Sequence, residues 1–492
     1  MLSETTNKLY QWLGAKEDEV VELCSSNDFH YVEPKRFSSV FCNRSRGVVG
    51  IEITLGKEMV RYSPTHMIAT NLSFERVLEK FLTDQRISSW KFAKQGVLRA
   101  FSAEQFLFWG NNFSKSIKLV RGSTIVDESH TTSRGHAIAL IDGIEQWMVL
   151  NQSAEGRIPY KYWPSRGTES PADNAIRNFL ACWALARLAK TRKNAKLGAV
   201  AQQNLKFNII KYFRSIGNGH GAIVESTGAK LGAAAVAGLA ILEAPNGQEF
   251  REELMMLVKG INSMEDNEHG FRTFFFPEER DGENWNFYSG EALLFLSEAA
   301  RHELPFAPTL RQCTKIFELC RAKHYTKRNP AFVPWHSQAC VSLFSQTGLK
   351  VFADFVFEIN DWLLSMQQWD GLPPELKGRF YNPQRPDFGP PHAASTGAYV
   401  EGLAEGIALA NYLGDQSRAS SYEIAVLRGL RSLRQLQFRD TWDAFYISKR
   451  NRVMGALRTE VYDNAIRIDS AAHALLAAIK ILNSVKSNLR PS

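Results

Sequence analysis

The sequence predicts a mainly α protein: an (α/α)6-like toroid of helical hairpins preceded by an α+β N-terminal domain. Two observations carry this expectation. After Asp173 the strand signals nearly vanish, and small apolar helical segments alternate with amphipathic, charged ones. Before it, from 37 to about 163, β-branched and apolar runs are punctuated by Gly, Asp and Asn, as strands and turns are. The expected division is residues 1–165 for the first domain, whose role the sequence leaves open, and 170–488 for the toroid.

Length and composition bound the answer. A chain of 492 residues suggests one large or two medium domains, and 44% apolar with 22% charged residues is globular composition. The formal charge of +8 permits acidic partners without demanding nucleic acid, and none is expected. The basic groups Lys323, Lys327 and Arg328, and Lys449, Arg450 and Arg452, read as a solvated rim in preference to an anion guide. Six scattered cysteines set no disulfide framework. The opening MLSETTNKLYQWLGAKEDEVVEL has mixed charges and no signal-type apolar core, and the apolar run 231–242 is too short and Gly-broken to span a bilayer. A cytoplasmic, reducing location without a membrane span is the expectation; oligomeric state stays open.

Taken in order, residues 1–30 read as one or two polar helices. VVGIEITL (48–55), SIKLVRG (116–122), AIALIDG (137–143) and QWMVLNQ (146–152) read as strands of a mostly antiparallel sheet, interrupted by a helix at 73–83. The stretch 155–174, with Arg157, Tyr160, Tyr162 and Trp163, is a surface connector. Beyond it, apolar helices are expected at 174–190, 228–243, 290–301, 336–346, 396–413 and 470–485. Amphipathic ones are expected between them at 199–216, 248–264, 309–323, 351–367 and 420–437. An all-round apolar helix is a core element and a one-striped helix covers it, so the alternation predicts an inner ring inside an outer one.

The segments VESTGAKLG, NFYSGEALLFL, TGAYVEGLAEG and IRIDSAAHALLA resemble the inner helices of six-hairpin (α/α)6-toroid proteins. That superfamily is rich in glycosidases, uronate lyases and sugar epimerases. The resemblance spans about 174–485. It implies a cavity at the N-terminal ends of the inner helices and does not select a reaction.

Three long aromatic connections enter those helices, at 269–291, 370–397 and 439–469, and loops of this length in a compact domain are usually functional. Rings such as Trp285, Phe287, Trp369, Phe380 and Trp442 suit the apolar faces of a sugar, with charged groups for its hydroxyls; the structural alternative is that they plug the top of the ring. Carboxylates stand near inner-helix starts at Glu225, Glu291, Glu401 and Asp469. Dipole compensation accounts for the early ones. Glu401 with Glu405 deep in an apolar helix demands a cavity or a partner. His336, His392 and His473 also fall at such starts, where a near-neutral imidazole can move a proton, although a lone His is more often a core residue. Tyr288 or Tyr462 would assist as acid, and Arg467 would neutralise a substrate carboxylate.

Cys313, Cys320 and His324 share a helical face, and His336 and Cys340 are one turn apart, which makes zinc conceivable as in lanthionine cyclase-like toroids. No CxxC element accompanies them, so buried structural cysteine is the stronger account, and no metal or cofactor is expected. GNGHG (217–221) follows a helix where a dinucleotide site needs a strand, no Walker A sequence is present, and the DxDD acid motif of terpene cyclases is absent.

The expectation is a carbohydrate-processing enzyme, an epimerase, lyase or hydrolase, acting on an acidic or hydroxyl-rich saccharide. Glu291, Glu401, Asp469, His473 and Tyr288 are the catalytic candidates. Arg467, His392, His336, Trp285, Trp369 and Tyr462 are the substrate-binding ones. The rivals are a non-catalytic toroid that binds a protein or polysaccharide, and a peptide- or isoprenoid-modifying toroid.

Overall fold

The structure, a computed structural model, describes residues 19–110, 113–127 and 134–484. Its apolar side chains form two separate cores, one in the N-terminal third and one in the helical remainder. The first is built on an antiparallel sheet of β1 (Val21–Tyr31), β2 (Val49–Leu55), β3 (Glu58–Tyr62), β4 (Gly96–Trp109) and β5 (Lys115–Leu119). The long β4 pairs with β1 along one edge and with β2, then β5, along the other. Helices Pro64–Thr70, Phe74–Asp84 and Ser89–Gln95 are each capped by a serine, Ser63, Ser73 and Ser88, whose hydroxyl accepts the backbone N–H of His66, Arg76 and Lys91 respectively. The second buries Phe74, Val77 and Phe81 in one core with Ile51, Ile53 and Ala100 of the sheet.

Two sequence expectations need correction here. Residues 21–31, read as part of a polar helix, are the strand β1, because β4 supplies main-chain partners for a segment with no apolar stripe. The part of that reading on residues 1–18 lies outside the described residues. Residues 137–152, read as two strands, lie almost wholly within one helix, Arg134–Asn151. Gly143 gives that segment the look of a turn, yet it sits inside the helix where a Cβ would lie 3.3 Å from the Cα of Gly455 and 2.5 Å from Gln437 Nε2. The glycine permits close packing and ends nothing.

That helix is α1 of a ring of twelve. The inner helices are α2 (Ala175–Arg192), α4 (Leu231–Glu243), α6 (Trp285–Arg301), α8 (Val333–Thr347), α10 (Ala393–Leu413) and α12 (Ile468–Ser484). The outer ones are α3 (Ala195–Tyr212), α5 (Arg251–Asn262), α7 (Leu310–Thr326), α9 (Lys350–Leu364), α11 (Gln416–Leu436) and α1. Each inner helix packs on the next, and α12 packs back on α2, so the ring closes. Each of α3, α5, α7, α9 and α11 covers the inner helix before it, while α1 covers α12. The fold is an α/α toroid of six hairpins, the sixth made from two ends of the helical region. Among the described residues no helix is long and apolar enough to cross a membrane.

Candidate functional site

The N-terminal ends of the inner helices open on a cavity of about 510 Å³ whose walls draw on all six of them or the loops that lead into them. One charged cluster in its wall centres on the start of α12. The strand Asp463–Arg467 pairs with Lys161–Trp163 and runs directly into α12, which sets Arg467 beside Asp469. Arg467 Nε donates to Asp469 Oδ1 at 2.9 Å, and Arg177 Nε lies 3.0 Å from Asp469 Oδ2. Burial pushes the Asp469 carboxyl up, but the Arg467 and Arg177 guanidiniums outweigh it and hold the group well below the usual carboxylate range. Two guanidiniums against one carboxylate leave one positive charge. Arg177 in turn donates to the Tyr160 hydroxyl, so the connector braces the cluster.

Beside it, His473 lines the cavity and its Nδ1 is 2.7 Å from Glu401 Oε1. Glu401 is fully buried behind the imidazole, and its Oε2 has no partner. With Nδ1 engaged, Nε2 is the ring nitrogen left for a ligand. Gly397 makes the approach of α10 to α12 possible, since a Cβ there would lie 2.9 Å from the Cβ of His473.

Glu291, on α6, is the third group. It is 4% exposed, its Oε2 has no partner, and burial pushes its carboxyl up to about 8. It is therefore protonated at neutral pH and can donate a proton. A Cβ on Gly232 would sit 2.0 Å from Glu291 Oε2, so α4 gives the carboxyl its space only as glycine. Tyr288, one turn earlier, lines the same wall, and burial raises its hydroxyl above the ordinary range.

His392 caps α10: its Nδ1 accepts the backbone N–H of Ser395 at 3.0 Å. An Nδ1 that accepts must be unprotonated, so the hydrogen sits on Nε2 and the ring faces the cavity as a neutral donor. Burial, then the charge of Arg467, lowers its pKa to about 4. Between the unfolded value near 6.5 and that folded value, the unfolded chain binds the proton first, so this contribution to stability is lost as pH falls from about 6.5 to about 4. His392→Ala is expected to cost about 1 kcal/mol at pH 7 and His392→Asn much less, because Asn keeps a capping oxygen; denaturant unfolding of the two variants measures it.

The structure thus brings Glu291, Tyr288, His392, Arg467, Asp469 and His473 to one cavity, with Glu401 behind His473. Other sequence candidates are elsewhere. His336 is fully buried, with Nδ1 3.1 Å from the carbonyl of Phe332 and its ring stacked on Phe332 at 3.4 Å. Trp285 is packed on Phe332 and donates to the carbonyl of His269. Trp369 lies under Arg428, and Tyr462 is half-buried; none of these four lines the cavity. Each lies in or beside a loop into an inner helix, but Trp285 and His336 turn onto Phe332 and Trp369 turns onto α11. Asp469, an acid–base candidate by sequence, is locked as an anion by its two arginines.

Sequence reasoning passed over Arg177 and the walls made by Trp335, Tyr381 and Tyr399. Arg177 had a signal: a cation in the first turn of a helix opposes the macrodipole and calls for an anion nearby. Cys313, Cys320 and His324 are buried in the packing of α7, where His324 stacks on Phe332 at 4.1 Å. Among the described residues no three His, Cys, Asp or Glu side chains group as a metal site.

No protein-family model and no curated protein matches the chain. Solved structures do. An inactive variant of an α-1,6-mannanase of Salegentibacter sp. HEL1_6, in complex with α-1,6-mannotetrose, is 14% identical, with 71% of this chain and 98% of that one covered and a TM-score of 0.50. An unsaturated glucuronyl hydrolase specific for heparin is 9% identical, with 74% and 100% covered and a TM-score of 0.49. A sugar epimerase from a ruminal bacterium is 12% identical, with 66% and 74% covered and a TM-score of 0.32. At these identities the likeness to the mannanase is one of fold, and it agrees with the ring of hairpins described above.

Proposed function

We propose that the chain is a carbohydrate-processing enzyme acting on an acidic or hydroxyl-rich saccharide by general acid–base chemistry in the toroid cavity. One observation carries this reading: a His473–Glu401 pair, a protonated Glu291 and a cluster of two arginines on one aspartate converge there. The surplus positive charge at Arg467 and Arg177 would take a substrate carboxylate. His473 Nε2, backed by Glu401, would accept a proton, and Glu291 or Tyr288 would return one. Epimerisation or β-elimination suits this set better than hydrolysis by two carboxylates, because Asp469 is tied to guanidiniums and makes a poor base. The α-1,6-mannanase of this fold, whose inactive variant is in complex with α-1,6-mannotetrose, supports a saccharide as the substrate class.

A non-catalytic toroid would have its carboxylates satisfied by arginine neighbours. Asp469 meets that description; Glu291 and Glu401 do not. The six cysteines, all free thiols, support a cytoplasmic site of action. The two separate cores support an N-terminal α+β domain and a toroid domain, with α1 on the toroid side.

The test is a titration of thermal stability with a panel of uronic-acid and neutral oligosaccharides. A ligand at 100 times its dissociation constant adds about 2.7 kcal/mol. The shift should appear with uronates and vanish in Arg467→Ala. On the saccharide so identified, Glu401→Gln and His473→Ala are each expected to lower turnover at least about a hundredfold. Full activity in both variants would refute the assignment.

A further inference from the structure

The N-terminal domain touches a wall residue of the cavity, Tyr381. Its loop 42–47 is fixed from beneath by Arg121, which donates to the carbonyls of Arg44 (2.8 Å) and Arg46, and through Nε to Glu375 Oε1 at 3.0 Å. Arg121 and Glu375 are almost wholly buried, so this pair ties the loop to the 370–397 connection that walls the cavity. Arg46 is also committed, donating to the carbonyl and the side chain of Asn71 at 3.2 and 3.0 Å. Arg379, next to the wall residue Phe380, is buried and held by Glu460 and Gln368.

Arg44 differs from these three. Its side chain is exposed, and it has no carboxylate partner among the described residues. Its guanidinium donates to the Tyr381 hydroxyl and lies 4.8 Å from the centroid of that ring. Tyr381 is itself a wall of the cavity. A guanidinium has five N–H donors in a fixed fork, and Tyr381 occupies one of them. The cation is held against a cavity-wall residue, and among the described residues its guanidinium has no other hydrogen-bond partner.

We propose that Arg44 forms an outer subsite of the toroid cavity, binding an anionic group, a carboxylate or a sulfate, on a sugar ring next to the one held at Arg467. The subsite rests on the saccharide reading of the cavity. It gives the N-terminal domain a part in substrate choice, since a single uronate would engage Arg467 alone whereas an anionic chain would engage both arginines.

The experiment measures affinities of the full chain and its Arg44→Ala, Arg44→Lys and Arg467→Ala variants for galacturonate, trigalacturonate and a sulfated heparin tetrasaccharide. Arg44→Ala should weaken at least one anionic oligosaccharide about tenfold more than it weakens galacturonate, the scale of one charge-assisted hydrogen bond. Arg44→Lys, which keeps the charge and loses the fork, should fall between. A loss confined to trigalacturonate assigns a carboxylate, and one confined to the heparin chain assigns a sulfate. Equal effects on all three ligands, or none, overturn the subsite while leaving the cavity reading intact, provided Arg467→Ala still abolishes galacturonate binding. No binding of any of these saccharides to the unmodified chain overturns both.

Discussion

Asp469→Ala is expected to destabilise the protein by about 3–5 kcal/mol at pH 7, because it strips the partner from two largely buried guanidiniums. Arg467 and Arg177 would then face each other across the space it leaves, with side chains only 18% and 29% exposed. The same pairing fixes a pH dependence. The folded carboxyl titrates well below the unfolded value near 3.8, so its contribution is present above that value and is lost as pH falls through the folded one. Urea unfolding of the two proteins at pH 7 and pH 3 measures both effects. The gap between them should be wide at pH 7 and narrower at pH 3. A cost under about 1 kcal/mol at pH 7, the level of an exposed ion pair, would show that the cluster contributes nothing beyond that.

Glu291→Gln should raise stability in the alkaline range. A carboxyl with a folded pKa near 8 and an unfolded one near 4.5 stays protonated in the fold while the unfolded chain ionises. The folded state binds more protons throughout that interval, so stability falls as pH rises from about 4.5 to about 8, by up to about 1.4 kcal/mol per unit. Glutamine has no proton to lose, so the variant should lack this slope and exceed the unmodified protein by a few kcal/mol at pH 8. Parallel slopes for the two proteins would mean that Glu291 is ionised at neutral pH and is not the acid. The Gly232 contact adds a reason for the effect to be local, since the carboxyl fills the place of a missing side chain.

The inner helices were legible because a segment buried on every side is apolar on every side. The stretch 231–242 shows it: Leu231–Glu243 has eleven successive buried residues. The outer helix α1 was not legible, since Ile138, Ile141 and Ile144 carry strand propensity and Gly143 imitates a turn. Only the neighbouring Gly455 and Gln437 reveal that the glycine serves helix packing. Position along the chain pointed to Glu401 and His473 separately, 72 residues apart, and their hydrogen bond needed the contact of α10 with α12. Whether a carboxylate is paired decides its chemistry. Asp469 and Glu291 look alike as acidic residues near the starts of apolar helices, and one is held by two arginines while the other has an oxygen without a partner.

The sixth hairpin has a consequence for how the chain comes to be made. α1 leaves the ribosome before any inner helix, yet it rests on α12, more than 300 residues later, and α12 also joins α10 to α2. Until 468–484 have been synthesised, the nascent protein is an open arc with the apolar flanks of α2 and α10 bare to water and α1 without its seat. Contacts of such long sequence separation form late and slowly. Ring closure therefore waits for a keystone, and α12 brings Arg467, Asp469 and His473 to the cavity wall in the same event.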